Sequence, residues 1–291
     1  QTLARKPWVG DRSQAAALAQ TIERVVAAYD GASGLLCELS GGFDSSVVAA
    51  HLGSLEHAEA HLLHFAGRAA EADELNYAQC VADYCSRSLR TLALSDHAYS
   101  RDDLEALPSG WRPSMAGIDR HLDLAVADVT ERLGAGMIMT GQGGDGIFFH
   151  ALTPWASADL HGRNLTTAQR RAWRIAIAIA TGVSYWRLLG LEWAARMGLG
   201  PRLSAPPAPW LTRRTRRAAH AAGPHGWLAD LRGIAPAKRE QIQALVYAQR
   251  YSGPCARSLV ADVIHPLLAQ PIVELCLRIP ILDLTQGAEG R

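Results

Sequence analysis

Lysine is almost missing from this chain. Of 29 basic residues among 291, 27 are arginine, and only Lys6 and Lys238 are lysine. No GxxxxGK[ST] run occurs and no lysine stands near a glycine-rich turn, which excludes a Walker-type phosphate site. Cysteine is scarce as well. Cys37, Cys80, Cys85, Cys255 and Cys276 are odd in number, lie in apolar segments and include no CxxC, so they read as reduced structural thiols of a cytoplasmic protein. No apolar run reaches the length of a membrane span, because Arg174 interrupts the best candidate. No signal peptide is visible. A net charge of +1 gives no bulk electrostatic case for nucleic acid or a membrane surface as partner. The arginine excess, alongside abundant alanine, reads mainly as compositional bias. The chain opens on Gln1 and ends on Gly287-Ala288-Glu289-Gly290-Arg291, and it looks cut at both ends.

What is present fits a globular protein of one large or two modest domains: 48% hydrophobic and 20% charged residues. Residues 13–29 place Leu18, Ile22, Val25, Val26 and Tyr29 on one helical face, with Ser13 as N-cap and Gly31 as stop. Strands are predicted near 35–39, 60–66, 89–94 and 137–140. Helices are predicted after the first strand (45–52), within 71–85 and over 119–133. Alternating strands and helices argue for a doubly wound, mainly parallel α/β sheet. After about residue 155 the pattern becomes helical, with helices over 166–181, 183–197, 211–222, 238–250 and 271–279. The run "RIAIAIA" (174–180) also alternates like a strand; helix is the preferred reading. This gives residues 1–155 as an α/β core and 156–291 as a helical part.

Two turns carry the chemistry. "CELSGGFDSSVVAA" (37–50) leaves a strand through Gly41 and Gly42 and enters a helix whose free N–H groups and dipole favour an anion. "TGQGGDG" (140–146) leaves the fourth strand in the same manner. Each turn alone reads equally as an ordinary Gly/Asp turn. If the first and fourth strands are neighbours, the two turns face one crevice at a topological switch point, and Asp44 and Asp145 share magnesium on a polyphosphate. Without a Walker lysine, a loop around the β and γ phosphates leaves the α-phosphate open to attack, with pyrophosphate as product.

"LSGGFDSS", "TGQGGDGIFF" and "HPLLAQPIVELCLRIP" together resemble the PP-loop ATP pyrophosphatases (adenine nucleotide alpha hydrolase-like), and specifically the synthetase domain of asparagine synthetases and their relatives, the β-lactam synthetases and lasso-peptide cyclases. The resemblance implies ATP and Mg2+ as cofactors, activation of a carboxylate as an acyl-adenylate, and attack by an amine to give an amide. It implies that Ser40, Gly41, Gly42, Asp44, Ser45 and Ser46 hold pyrophosphate, with Gly141, Gly143 and Gly144 in the facing turn, and that Asp44 and Asp145 bind magnesium. It places adenine by the backbone of Leu39 and of His64, Phe65 and Ala66.

Three departures narrow the substrate. Gln1 is not the nucleophilic Cys of a glutaminase domain. Gln142 stands where asparagine synthetases have an acid and β-lactam synthetases a Tyr, so it cannot act as a base and instead would hold a carboxylate or adenylate oxygen. The combined motifs resemble lasso-peptide cyclases most, which implies a precursor peptide as substrate and a leader peptidase and leader-binding protein as partners. A small-substrate amide ligase and a non-enzymatic ATP sensor remain as alternatives. The resembling enzymes also carry a lysine beyond the "LRIP" segment. Neither Lys6 nor Lys238 matches its place, so continuation past Arg291 is expected. "RRTRR" (213–217) reads as a solvated helix face rather than a grip on an acidic peptide. His265 reads as packing, Glu71, Asp73 and Glu74 as a helix start, and the Trp and Tyr residues between 184 and 251 as core.

Overall fold

A computed structural model describes residues 4, 13–31, 34–53, 55, 59–66, 74–93, 100–110, 114–115, 117–149, 152–201, 203, 211–221 and 225–285. The chain divides into two compact units, one formed by Arg12–Asp145 with Ala248–Val273, the other mainly by Gly146–Tyr247 with Glu274–Gly290.

The first unit is built on β1 (Leu35–Glu38), β2 (Ala60–Ala66), β3 (Leu89–Ala93), β4 (Met137–Met139) and β5 (Asp262–Ile264). All pair in parallel, in the order β3-β2-β1-β4-β5. Leu35 is in register with Ala60 on one side and Met137 on the other, so β1 is central and apolar on both faces. Side chains alternate along a strand. Leu36, Leu63 and Ile138 therefore share one face, where they pack with Val126 and Ala135. Val126 belongs to α5 (Arg120–Arg132), whose N-cap is Asp119, accepting from the Leu122 N–H. Cys37 points to the opposite face, towards Cys85. That face holds α2 (Phe43–Gly53) and α3 (Leu75–Tyr84), joined where the Cys85 thiol donates to the Ala49 carbonyl at 3.3 Å. Burial pushes the Cys37 and Cys85 thiols up, which keeps them protonated. All five cysteines are free, four of them buried, as structural thiols require. Helix α1 (Gln14–Ala27) starts at Ser13, as expected, and packs on α2. Short helices α4 (Arg101–Glu105) and α6 (Gly144–Ile147) complete the elements before residue 150.

The second unit is helical. Its core joins Phe149, Ala156, Leu160, Ile177, Leu188, Ala237, Ile281 and Leu282. A 3-10 segment (Pro154–Gly162) lies beneath α7 (Thr167–Thr181) and α8 (Tyr185–Arg196). The "RIAIAIA" run is helix: Ile177 is buried while Ile175 and Ile179 are exposed, whereas a strand would put all three on one face. Arg174 donates through Nε and Nη2 to the two oxygens of buried Glu192, at 2.7 and 2.8 Å. His161 Nε2 lies 2.9 Å from the same carboxylate. Helix α9 (Arg213–Ala221) carries the "RRTRR" run as an exposed face, as expected. Among the described residues no single helix is long and apolar enough to cross a membrane.

The remaining helices are α10 (Pro236–Ala248), α11 (Ala256–Val260), α12 (Gln270–Arg278) and α13 (Ile281–Leu284). α11 and β5 lie in the stretch after 155 that reads as purely helical, and they belong to the sheet unit. The division in space is therefore not one cut at residue 155. Elements of three to five residues hold too little of a period to be seen in sequence. Glu71, Asp73 and Leu94 lie outside the described residues. Glu74 flanks the start of α3, whose first turn has no acidic residue.

Lys238, in α10, is 4% exposed. Its ammonium donates to Gln241 Oε1 at 2.8 Å and to the carbonyls of Cys276 (2.9 Å) and Ile279 (2.5 Å), closing the carboxyl end of α12. Burial pulls it down to about 7, and burial pushes the neighbouring Asp159 carboxyl up to about 7. Replacing Lys238 by Met leaves the Cys276 and Ile279 carbonyls without their buried donor and removes a positive charge near Asp159. A loss of about 3 kcal/mol is expected in urea unfolding, the cost of leaving two buried acceptors unsatisfied. Because the folded state raises the Asp159 carboxyl above its ordinary value, it binds the extra proton as pH falls. The Lys238→Met defect should therefore be larger at pH 8 than at pH 5; equal defects would separate Asp159 from Lys238.

Candidate active site

β1 and β4 are neighbours, so the turns that follow them meet. Beyond β1, Leu39 is buried and donates its N–H to the Leu63 carbonyl at 2.8 Å. The ring of His64 is buried, with Nδ1 2.9 Å from the Leu39 carbonyl. Phe65 lies further along β2, packed against the α5 side of the sheet. The residues expected around adenine thus come together at the carboxyl ends of β1 and β2, with the Leu39 carbonyl already engaged by His64.

The first turn is shaped by its own hydroxyls. The Ser40 N–H donates to Ser45 Oγ at 3.1 Å, and the Gly42 N–H to Ser40 Oγ at 3.2 Å. The two hydroxyls are 2.9 Å apart. Ser46 donates its hydroxyl to the Gly42 carbonyl at 2.7 Å. Ser45 and Ser46 therefore serve the shape of the loop directly, while Ser40 is exposed. Gly41 has φ +96°, and a Cβ there would stand 2.6 Å from the Glu74 carbonyl oxygen. Only glycine meets both conditions. The result is a tight turn at the amino end of α2, where N–H groups of the first turn lack intrahelical partners.

The second turn lies against the first. A Cβ on Gly141 would approach the Ser45 nitrogen to 2.5 Å, and one on Gly144 would run into the Asp44 carboxylate. The next residue is Asp145, which is exposed. Asp44 thus lies against Gly144, the residue that precedes Asp145. Gly143 turns with φ +96° against Leu268. Gln142 is partly buried, and its N–H donates to Thr140 Oγ1 at 3.1 Å. Thr140 Oγ1 is 2.7 Å from His265 Nδ1. Thr140 Oγ1, with one donor proton and two acceptor lone pairs, thus bridges the Gln142 N–H and the His265 ring. Burial and the Arg257 charge hold His265 below its ordinary value, which favours the neutral ring. His265 does more than pack: it sets the base of the turn that carries Gln142.

A buried charge cluster supports the same strand ends. Arg257 of α11 bonds Glu38, the last residue of β1, through Nη1, and its Nε lies 2.6 Å from Asp123 of α5. Burial raises both carboxyls, and Arg257 opposes that rise. Sequence reading missed this cluster and the Thr140–His265 link. The available signal was an acid inside each of two apolar runs, "LLCEL" and "LDLAV".

The donor set fits a divalent cation carried on phosphate. Mg2+ commonly takes one or two carboxylates and completes its shell with phosphate oxygens and water. Among the described residues no group of three or more His, Cys, Asp and Glu is arranged to hold a metal. Asp44 and Asp145 are the carboxylates that the two turns carry.

One solved structure with likeness to this chain is the U34-tRNA thiolase NcsA from Methanococcus maripaludis with its [4Fe-4S] cluster, at 13% identity over 89% of this chain and 87% of that chain, with a TM-score of 0.34. No curated protein matches the chain. The family described as asparagine synthase matches residues 17–291, nearly the whole sequence, and the chain belongs to this family of ATP-dependent amide ligases.

Proposed function

We propose that the protein adenylates a side-chain carboxylate of a precursor peptide and joins it to the peptide's own amino terminus, acting as a lasso-peptide macrolactam cyclase. The observation that carries this reading is Gln142. It occupies the turn against Asp44 and offers hydrogen bonds without basicity, where small-substrate relatives resemble one another in carrying an acid or a Tyr. Leader peptidase and leader-binding protein are the partners this reading implies.

In the first step a carboxylate oxygen of the peptide attacks the α-phosphorus of ATP, and the bond to the pyrophosphate oxygen breaks. In the second, the amine nitrogen attacks the acyl carbon, AMP leaves, and the amine's proton passes to water. The Gly41 turn and the first turn of α2 hold the departing phosphates by backbone N–H groups. Asp44 and Asp145 would hold Mg2+, whose charge offsets that of the phosphates. Thr140 and His265 position Gln142, whose amide orients the reacting oxygen.

Incubation with ATP and a linear peptide bearing a free amino terminus and an Asp or Glu side chain should yield AMP, pyrophosphate and a product lighter by one water. ADP as the nucleotide product would end the adenylation reading. Turnover with free aspartate and an amine, but not with peptide, would move the protein to the small-substrate ligases. ATP binding without turnover of either would make it a sensor.

Asp44→Ala and Asp145→Asn should each reduce ligation by roughly a hundred-fold or more, with the circular dichroism spectrum retained, because each removes a metal carboxylate. Near-normal turnover by Asp145→Asn would take that residue out of the metal site.

Thr140→Val keeps the side-chain volume but removes the acceptor for the Gln142 N–H. A fall in kcat of about ten- to a hundred-fold is expected from the displaced turn, with ATP affinity little changed. An unchanged kcat would show that the His265 link does not position Gln142.

A further inference from the structure

The whole-chain charge of +1 conceals a strong segregation. Residues 160–229 contain eleven arginines, no lysine and a single acid, Glu192, for a net charge of +10, against −9 for the rest of the chain. That one acid is consumed internally, since Glu192 is buried under Arg174 and His161. Arg171, Arg187 and Arg196 are exposed on α7 and α8, and α9 adds four more exposed arginines, at 213, 214, 216 and 217.

The same two helices leave large apolar side chains in solvent. Ile179 and Trp186 are each 78% exposed, Trp193 63% and Met197 64%; Ile175 is exposed as well. At about 100° per residue, Trp186, Trp193 and Met197 fall within roughly 40° of one another on α8, and Arg187 and Arg196 flank that stripe on opposite sides. On α7, Ala172, Ile175 and Ile179 form a matching stripe with Arg171 at its edge. Both helices pack their inner faces on the segment 154–162, so both stripes face away from it. Taken together the pair is apolar enough for a span, but it is bent by 109° between Thr181 and Tyr185, so it is suited to lie on a surface and not to cross one.

We propose that α7 and α8 dock this protein on an anionic lipid surface. An apolar stripe containing tryptophan, flanked by arginine and free of exposed acid, is the pattern of a helix that sits in the headgroup layer. Tryptophan suits that layer because its ring is apolar while its N–H still finds a polar partner. A second copy of the chain fits this face poorly, because an isologous contact would set arginine against arginine. An anionic bilayer accepts two divergent helices without a shape-matched groove, and its negative charge complements the rim.

The test is co-sedimentation of the whole protein with vesicles of phosphatidylglycerol and phosphatidylcholine, against vesicles of phosphatidylcholine alone. Partition at least tenfold stronger on the anionic vesicles is expected, with a blue shift of tryptophan emission and weakening at high salt. The triple variant Trp186→Ser, Trp193→Ser, Met197→Ser alters only exposed side chains, should retain its circular dichroism, and should lose at least tenfold in partition. Arg187→Gln with Arg196→Gln should lose severalfold. Absence of binding to the anionic vesicles would overturn the proposal. So would undiminished binding by the triple variant, and so would a concentration-dependent dimer in sedimentation velocity that this variant abolishes. None of these readouts depends on ligation, so they stand apart from the cyclase reading.

Discussion

The contact between Gly144 and the Asp44 carboxylate is the constraint around which the site is arranged. It requires β1 and β4 to be adjacent and parallel, because only then do the two following turns end at the same height. It also requires the chain to leave β1 first towards β2 and β3 and later to return on the other side, so that strand order reverses at β1. That reversal opens the crevice at the carboxyl ends of the strands where ligands bind in doubly wound sheets. Side chains at 141 and 144 would push the two turns apart.

Buried charge fixes what packing alone leaves adjustable. Apolar faces tolerate small slips, whereas an arginine held between two carboxylates does not, because a displaced partner leaves a desolvated charge. Arg257 ties the end of β1 to α5 and α11, while Thr140 and His265 tie the end of β4 to the chain leaving β5. Both ties lie at the ends of the strands that carry the two turns. In the helical unit, Arg174 and Glu192 fix α7 against α8, and Lys238 closes the end of α12.

Much of this was legible in the sequence, and for physical reasons. Strands β1, β2 and β4 are largely buried runs bounded by turn residues, and α1, α5, α7 and α8 carry enough turns for a period to show. The glycines at 41 and 144 were visible as a pattern, since no other residue permits such close approach. The adjacency of β1 and β4 entered only as a condition, because pairing is a property of the whole sheet. β5 was not legible: three residues following a five-residue helix carry no period, and their strand state comes from pairing with β4. The bonds that the serine hydroxyls make within the loop were not legible either. The structure turns Ser45 and Ser46 to the loop backbone, which short side chains next to a tight turn reach at little conformational cost.

The arginine excess is where composition says least. Read as a single number it is bias, and averaged over the chain it cancels to nearly nothing. Position separates it into unlike roles. Arg257 and Arg174 are planar forks that engage carboxylates through more than one nitrogen, which the point charge of lysine does not reproduce. Arg171, Arg187 and Arg196 stand in solvent beside exposed tryptophan and isoleucine, where their charge offsets no carboxylate of their own helices. A bias in codon or composition explains how many arginines a chain has. It does not explain why the single acid among residues 160–229 is buried while seven arginines of that stretch remain exposed. Only the folded distribution of charge carries that information, because burial decides which charges a partner can meet.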